Sequence, residues 1–224
     1  MKKHNSKQKN TISTEWSPEF AYAIGLLVSD GCLSNNGRHI DFTSKDLEQV
    51  EHFKKCLGLS VKIGTKSRGY SNDRYYRIQF GNVIFYKFLE SIGLTSAKSK
   101  TIGNVSVPDE YFWDYLRGYF DGDGCIYSSW DKRWKSSRAF CISFACASIA
   151  HMEWLNSKIK NLASITGYIQ PMGTSKAYQL KYAKQGSLEI ISKMYYDTGV
   201  ICLSRKFIKI QAILETEKKQ QAKY

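Results

Sequence analysis

Two aspartates in this chain stand in the same local setting. Asp30 closes the segment Gly25-Leu26-Leu27-Val28-Ser29-Asp30-Gly31-Cys32, and Asp123 closes Gly118-Tyr119-Phe120-Asp121-Gly122-Asp123-Gly124-Cys125. Each follows an apolar stripe at helical spacing: Ile24, Leu27 and Val28 in the first segment, Leu116 and Phe120 in the second. Each acid is therefore placed at a helix C-terminus, facing the negative end of the dipole at a cost of ~0.3–1 kcal/mol. Small residues four apart, Gly25/Ser29 and Gly118/Gly122, would let two such helices approach closely. The acids would then meet at one end of the seam and repel each other. A hard divalent cation reverses both penalties, since Mg²⁺ takes oxygens from one or two carboxylates, phosphate and water. There it can activate water and stabilise both oxygens of an in-line displacement at phosphorus. One Asp-Gly is an ordinary turn dipeptide; two at matching places in a repeat read as a metal site.

The repeat extends beyond these segments. Asp30 and Asp123 are 93 residues apart; the alternating strand Ile40/Phe42 returns as Ile142/Phe144 at an offset of 102. The helical set Val50, Phe53, Leu57 returns as Met152, Leu155, Ile159, and Tyr76/Ile78/Phe80 as Tyr178/Leu180/Tyr182, again at 102. The growth in offset points to a longer loop after the second motif, Tyr127 to Arg138. Near the end of each copy, Ser99-Lys100-Thr101-Ile102 matches Arg205-Lys206-Phe207-Ile208 at an offset of 106.

Each copy reads as helix, two strands, helix, two strands, helix, an α+β pattern. Ser17-Pro18-Glu19 opens the first helix, with Ser at the N-cap, Pro at N1 and Glu at the positive end. Asp30-Gly31 closes it, with the glycine available for a left-handed C-cap. A strand near Arg38–Thr43 precedes a helix that Ser44 caps and Gly58 ends. Strands near 61–65 and 75–80 follow, joined by a loop over 66–74. A third helix over 83–92 ends at Gly93. The expected division is a basic tail over 1–14, a first repeat over 15–104, a second over 105–214, and a frayed polar tail over 215–224.

Composition narrows the partner. The 224 residues carry 33 Lys+Arg against 20 Asp+Glu, a net charge of +13, with 42% hydrophobic and 14% aromatic residues. Such a chain can build a core, which excludes a disordered tail protein and collagen-like or coiled-coil compositions. The charge excess points to a polyanion, most often nucleic acid. No run approaches the ~18–20 apolar residues of a membrane span. The segment MKKHNSKQKN lacks the apolar stretch of a secretion signal. The expected location is therefore intracellular: cytoplasm, nucleoid or an organelle matrix. The six cysteines form no C-x-x-C pair, which argues against structural zinc and for reduced, mostly buried thiols. Gly93–Ser99 lacks the second glycine and spacing of a P-loop.

The segments AIGLLVSDG (23–31) and LRGYFDGDG (116–124) resemble the two signature motifs of the LAGLIDADG homing endonucleases, in the monomeric, two-motif branch. The resemblance covers roughly residues 17–212. The second motif is the closer match; the first departs at Ala23, Val28 and Ser29. Val28 replaces the motif's first acid, but the acid that the family uses for metal is the last, kept as Asp30 and Asp123. The resemblance implies a pseudo-two-fold pair of αββαββα units with the signature helices at their interface. It implies two curved antiparallel sheets forming a saddle over the DNA major groove, and Mg²⁺, or Mn²⁺ or Ca²⁺ at the same sites. The backbone carbonyls of Ser29 and Gly122 would help hold the metals. Lys98 and Lys206, with Arg205 beside the second, are candidates for the basic residues near the cleaved bond; they read equally as surface lysines or phosphate clamps.

Strand alternation supplies a polar face without the family. Tyr75, Arg77 and Gln79 point away from Tyr76, Ile78 and Phe80, and Gln179 and Lys181 hold the matching outward places. Arg and Lys suit the guanine edge, and Gln suits adenine. Further candidates for DNA contact are Arg38, Lys62, Lys66, Arg68 and Arg74 in the first repeat, and Arg133, Lys135, Arg138, Gln170 and Lys176 in the second. Because the two faces differ, the expected target is long and asymmetric. The expected function is an intron-encoded, site-specific double-strand DNA endonuclease (a meganuclease) cutting one phosphodiester per strand and leaving 3′ overhangs. Alternatives are a maturase that binds intron RNA and a DNA-binding protein that does not cut. An intein is disfavoured by the Lys-rich start and the QQAKY end.

Overall fold

The computed structural model describes residues 12–67, 74–130 and 138–221. The first half runs α1 (Pro18–Asp30), β1 (Gly31–Leu33), β2 (His39–Ser44), α2 (Leu47–Cys56), β3 (Gly64–Ser67), β4 (Arg74–Gly81) and α3 (Val83–Ser91). The second runs α4 (Phe112–Asp123), β5 (Gly124–Trp130), β6 (Arg138–Cys146), α5 (Ile149–Ala163), β7 (Tyr168–Pro171), β8 (Tyr178–Tyr182), α6 (Lys184–Met194) and α7 (Ser204–Gln221). Each half carries one four-stranded antiparallel sheet, in the orders β1-β2-β4-β3 and β5-β6-β8-β7. The repeat expected from the sequence is thus an α+β pair of αββαββα units, with α7 added.

The seam between halves is α1 against α4. Ser17 caps α1 by accepting from the Phe20 amide at 3.1 Å, and residues Ala21 to Leu27 of that helix are buried. A Cβ on Gly25 would lie 2.1 Å from the Tyr115 carbonyl oxygen, and one on Gly118 would lie 2.0 Å from that of Tyr22. The two contacts are the same contact seen from each repeat, so the backbones touch at a pseudo-two-fold axis. Outside the seam each half packs its sheet on aromatics. Phe42 stacks on Phe53 at 4.4 Å, and Tyr119 stacks on Phe144 at 6.0 Å.

Several local expectations change. Gly31 is extended (φ −84°, ψ 152°), not left-handed, because the chain passes directly from α1 into β1; Gly124 does the same after α4. Glycine is needed there for room, since a Cβ on Gly31 would meet the Leu27 carbonyl oxygen at 2.5 Å. Asp46, not Ser44, precedes α2; the Ser44 hydroxyl donates to Gln49 Oε1 at 2.5 Å instead. β3 starts at Gly64, where pairing with Arg77 begins, while Val61 and Ile63 pack on the core beforehand. Tyr127–Trp130, read as loop, extends β5. Residues 215–221 are helix, not frayed tail, and buried Glu217 pairs with Lys184. Ile12, placed in the N-terminal tail, is in the core. Cys32 and Cys125 are exposed and the other four cysteines are half-buried. The exposed pair stand second in β1 and β5, where alternation turns them away from Leu33 and Ile126.

Candidate functional site

The close packing of α1 and α4 brings their C-termini together. Where Gly122 faces the other repeat, an added Cβ would lie 1.9 Å from Ser29 Oγ and 2.7 Å from Asp30 Oδ2. Gly122 is therefore the gap through which the Asp30 carboxylate approaches α4. Burial, and next the charge of Asp123, push the Asp30 carboxyl up to about 6; Lys206, Lys98 and the Ser29 hydroxyl oppose this. Burial also raises Asp123, opposed first by Lys98 and then by Lys206. Each acid thus feels the lysine of the other repeat most strongly, which makes the four charges one cluster across the seam.

Both lysines are buried, 6% and 7% exposed, which removes the reading of them as surface lysines. Lys98 Nζ donates to the Gly31 carbonyl at 2.7 Å, and Lys206 Nζ to that of Gly124 at 2.7 Å. These are equivalent contacts, so Lys98 is the counterpart of Lys206 at an offset of 108; the sequence match of Lys100 to Lys206 at 106 is corrected. The register slips because Lys98 follows Ala97, in the left-handed region at φ 55°, into a 3-10 turn, whereas Lys206 lies on a regular helix. Lys206 also reaches the Phe120 carbonyl at 2.5 Å and that of Gly122 at 3.3 Å. Burial lowers Lys98 and lowers Lys206 to about 8. Arg205 does not join them; it pairs with Asp46 of α2 at 2.8 Å, and Glu48 accepts from the Ser204 amide at 3.1 Å. Those contacts tie the start of α7 to the first repeat.

The donor set fits a hard cation. Among the described residues no group of three or more His, Cys, Asp or Glu side chains converges. A metal here would take the Asp30 and Asp123 carboxylates and complete its shell from carbonyls, water and phosphate, the habit of Mg²⁺. The expected ligand Gly122 keeps its carbonyl turned to Lys206 only at the long distance of 3.3 Å.

The polar sheet face is present in both halves. Ile78 and Phe80 are buried while Gln79 is exposed, and Leu180 and Tyr182 are buried while Gln179 and Lys181 are half-buried. Gln170 stands opposite Gln179, and Lys66 opposite Tyr75. Gln179 Nε2 donates to Ser143 Oγ at 2.8 Å. Arg38 and Lys176 are exposed in turns beside the sheets, and Lys62 precedes β3. Arg74 shares the parity of Ile78 and is exposed at the outer end of β4; Arg138 opens β6, paired with Trp130. Arg68, Arg133 and Lys135 lie outside the described residues.

Sequence reasoning missed Asp41, which pairs with Arg77 on this face. It gave no role to Asp121, whose Oδ2 accepts from the Tyr22 hydroxyl and the Leu203 amide, both at 2.7 Å. The acidic motif position was the signal for Asp121. Asp41 gave none, because its partner lies in another strand.

Two facing helices with paired terminal acids, each leading into a four-stranded sheet, define the two-motif LAGLIDADG fold. Residues 17–93, which span the first of the two repeats, match the family model described as LAGLIDADG-like domain. No curated protein matches the sequence significantly. Among solved structures, full-length DUF199/WhiA from Thermatoga maritima is similar at TM-score 0.57 and 15% identity, over 92% of this chain and 63% of that one. The chain thus spans under two thirds of that protein's length. The homing endonuclease I-LtrWI bound to target DNA is similar at TM-score 0.57 and 14% identity, over 90% and 91% of the two chains. I-DmoI in complex with DNA and Mn is similar at TM-score 0.52 and 15% identity, over 80% and 97%. At these identities the likeness is one of fold. No helix among the described residues is long and apolar enough to cross a membrane.

Proposed function

We propose that this chain is a site-specific DNA endonuclease that acts as a monomer and cuts one strand with each motif acid. The fold does not carry this reading, being common to DUF199/WhiA and to homing endonucleases. The observation that carries it is the carboxylate pair, Asp30 beside Asp123, held against repulsion and burial at the join of two basic sheets. Such a pair raises the energy of the metal-free protein and is relieved by a divalent cation. Mg²⁺ or Mn²⁺ held by Asp30 and Asp123 would supply a water nucleophile and stabilise charge at phosphorus. The solved structures of I-DmoI with DNA and Mn support metal use by this fold.

The chain's own residues do the rest. The close contact of Gly25 and Gly118 fixes the separation of the two acids. Lys98 and Lys206 place positive charge beside them, offsetting the negative helix ends and facing the phosphate that enters. The outward residues of β4 and β8 hold the duplex in one register, and phosphate contacts set its position. Because the acids lie together at the seam, the two cuts fall near one another; that the overhangs are short and 3′ is what the resemblance to the homing endonucleases implies.

The test is cleavage of a supercoiled plasmid carrying a site selected from random DNA, in Mg²⁺. The wild-type chain should linearise it. Asp30→Asn and Asp123→Asn should each lower double-strand cleavage by at least about 100-fold, the scale of losing one preorganised electrostatic group, while retaining DNA binding. Undiminished cutting by either variant refutes the assignment. Tight binding without cutting by the wild type would favour the non-cleaving reading, and preference for intron RNA over duplex would favour a maturase.

A further inference from the structure

Asp41 is out of place on a surface meant for DNA. It lies in β2 opposite Cys32 on one side and Gln79 on the other, two residues along the ladder from the Asp30 site. A free carboxylate there would repel phosphate and every base acceptor in the major groove. It is held instead: Arg77 donates from Nε and Nη2 to Asp41 Oδ2, and the Thr43 hydroxyl donates to Oδ1 at 2.8 Å. Thr43 stands directly opposite Arg77 in the ladder, so the three side chains form a closed diagonal across β2 and β4. The Asp41 side chain is 15% exposed and that of Arg77 33% exposed, so the carboxylate is covered and the guanidinium is left outermost.

This arrangement differs in kind from the rest of the basic surface. Lys66 and Arg38 are exposed. Arg77 has one edge of its planar fork fixed by a carboxylate, and among the described residues no other group engages it. A fixed fork is suited to bidentate recognition, for which a lysine is no substitute. In the major groove the matching bidentate acceptor is the O6/N7 edge of guanine. The equivalent place in the second repeat, at the repeat's offset of 102, is Ser143, which accepts from Gln179, so the device belongs to one half only.

We infer that Arg77 reads a single guanine in the target, with Asp41 as its positioning residue. This deepens the proposed function and rests on its DNA-binding part alone, not on cleavage. Ladder spacings of about 3.3 Å per residue and 4.8 Å between strands put the guanine roughly 3–5 base pairs from the centre of the site at 3.4 Å per base.

The experiment is selection from a random duplex library without divalent metal, followed by binding to all single-base variants of the selected site. The wild-type chain should lose roughly 5- to 150-fold when one G·C pair near the centre is replaced, the range of one bidentate contact. Asp41→Asn, which removes a negative charge from the DNA face, should bind as tightly or more tightly overall yet lose preference at that one position. Arg77→Lys, which keeps the charge, should lose the same preference and keep the salt dependence. Circular dichroism of both variants checks that they fold. The inference is overturned if either variant keeps full guanine preference everywhere, or if Asp41→Asn weakens all sites equally. Absence of any sequence preference in the wild type would overturn it together with site-specific DNA recognition, whereas failure to cut in Mg²⁺ would overturn only the nuclease reading.

Discussion

Asp121 and Asp123 stand two positions apart on the last turn of α4, and the first is 1% exposed while the second opens to solvent at the helix end, with enough protein around its carboxyl to raise it. Asp121 holds the Tyr22 hydroxyl of α1 and the amide of Leu203, just ahead of α7. Its equivalent in the first motif is Val28, so this bond exists once. Asp121→Leu would strand two buried donors, each costing ~1–3 kcal/mol, and is expected to lose roughly 2–6 kcal/mol of unfolding free energy in urea. Asp121→Asn keeps an acceptor and is expected to stay within about 1 kcal/mol and to cut DNA, unlike Asp123→Asn. Loss of cleavage in a stable Asp121→Asn variant would show that the first motif acid shares the chemistry. Sequence alone named Asp30 and Asp123, because two identical settings in one repeat single them out. It also named Lys98, yet its repeat offset matched Lys100 to Lys206. The slip of two residues turns on one left-handed residue, Ala97, whose conformation no side chain announces.

The helix seam carries the sharpest constraint at the level of elements. Any side chain at Gly25 or Gly118 drives a Cβ to about 2 Å from a backbone carbonyl, and backbone cannot swing aside as a side chain does. Gly118→Ala is therefore expected to cost at least the ~1–3 kcal/mol of an overpacked core, and also to lower cleavage, since the seam spaces the two acids. Gly103, with open space around it and no left-handed backbone, is the control. A second element carries a pH signature. His151 of α5 is fully buried between Tyr119 and Trp154, with Nδ1 2.7 Å from the Gly103 carbonyl. Burial holds it down to about 4 from an ordinary 6.5. Its folded-state value is depressed, so the unfolded chain takes up a proton that the fold refuses. The stabilising contribution is whole above 6.5 and falls as pH drops toward 4, by about 3 kcal/mol. Unfolding free energies of wild type and His151→Gln, compared from pH 7.5 to 4, should converge by that amount on acidification. Helix periods and paired offsets made these elements legible in advance. The extended glycines after α1 and α4 and the full length of α7 were not, because each follows from what the chain does next: a strand that begins at once, or a buried Glu217 that finds Lys184.

At the scale of the molecule the pseudo-symmetry is strong at the seam and weak on the sheets. Gly25 and Gly118 make reciprocal contacts, and Lys98 and Lys206 make equivalent ones. On the outward faces the first sheet presents Arg77, Gln79 and Tyr75 over a covered Asp41, while the second presents Lys181, Gln179 and Gln170 over a buried Ser143. Under the proposed function one chain holds both halves, so the two sheets can differ while the seam stays symmetric, which gives a symmetric cut with an asymmetric address. The net charge of +13 bears on this, since phosphate contacts are blind to sequence and base contacts are not. Neutralising 6–10 phosphates releases as many counterions, so affinity for the selected site should fall by ~10³–10⁵ between 50 and 200 mM salt. The preference among single-base variants should change far less over that range, because competing sites share the phosphate contribution. Fluorescence anisotropy on one selected site and its variants across the salt series separates the two. A salt slope near zero would leave the positive charge without its proposed partner, and a strictly palindromic selected site would mean that the differences between the two sheets are not read.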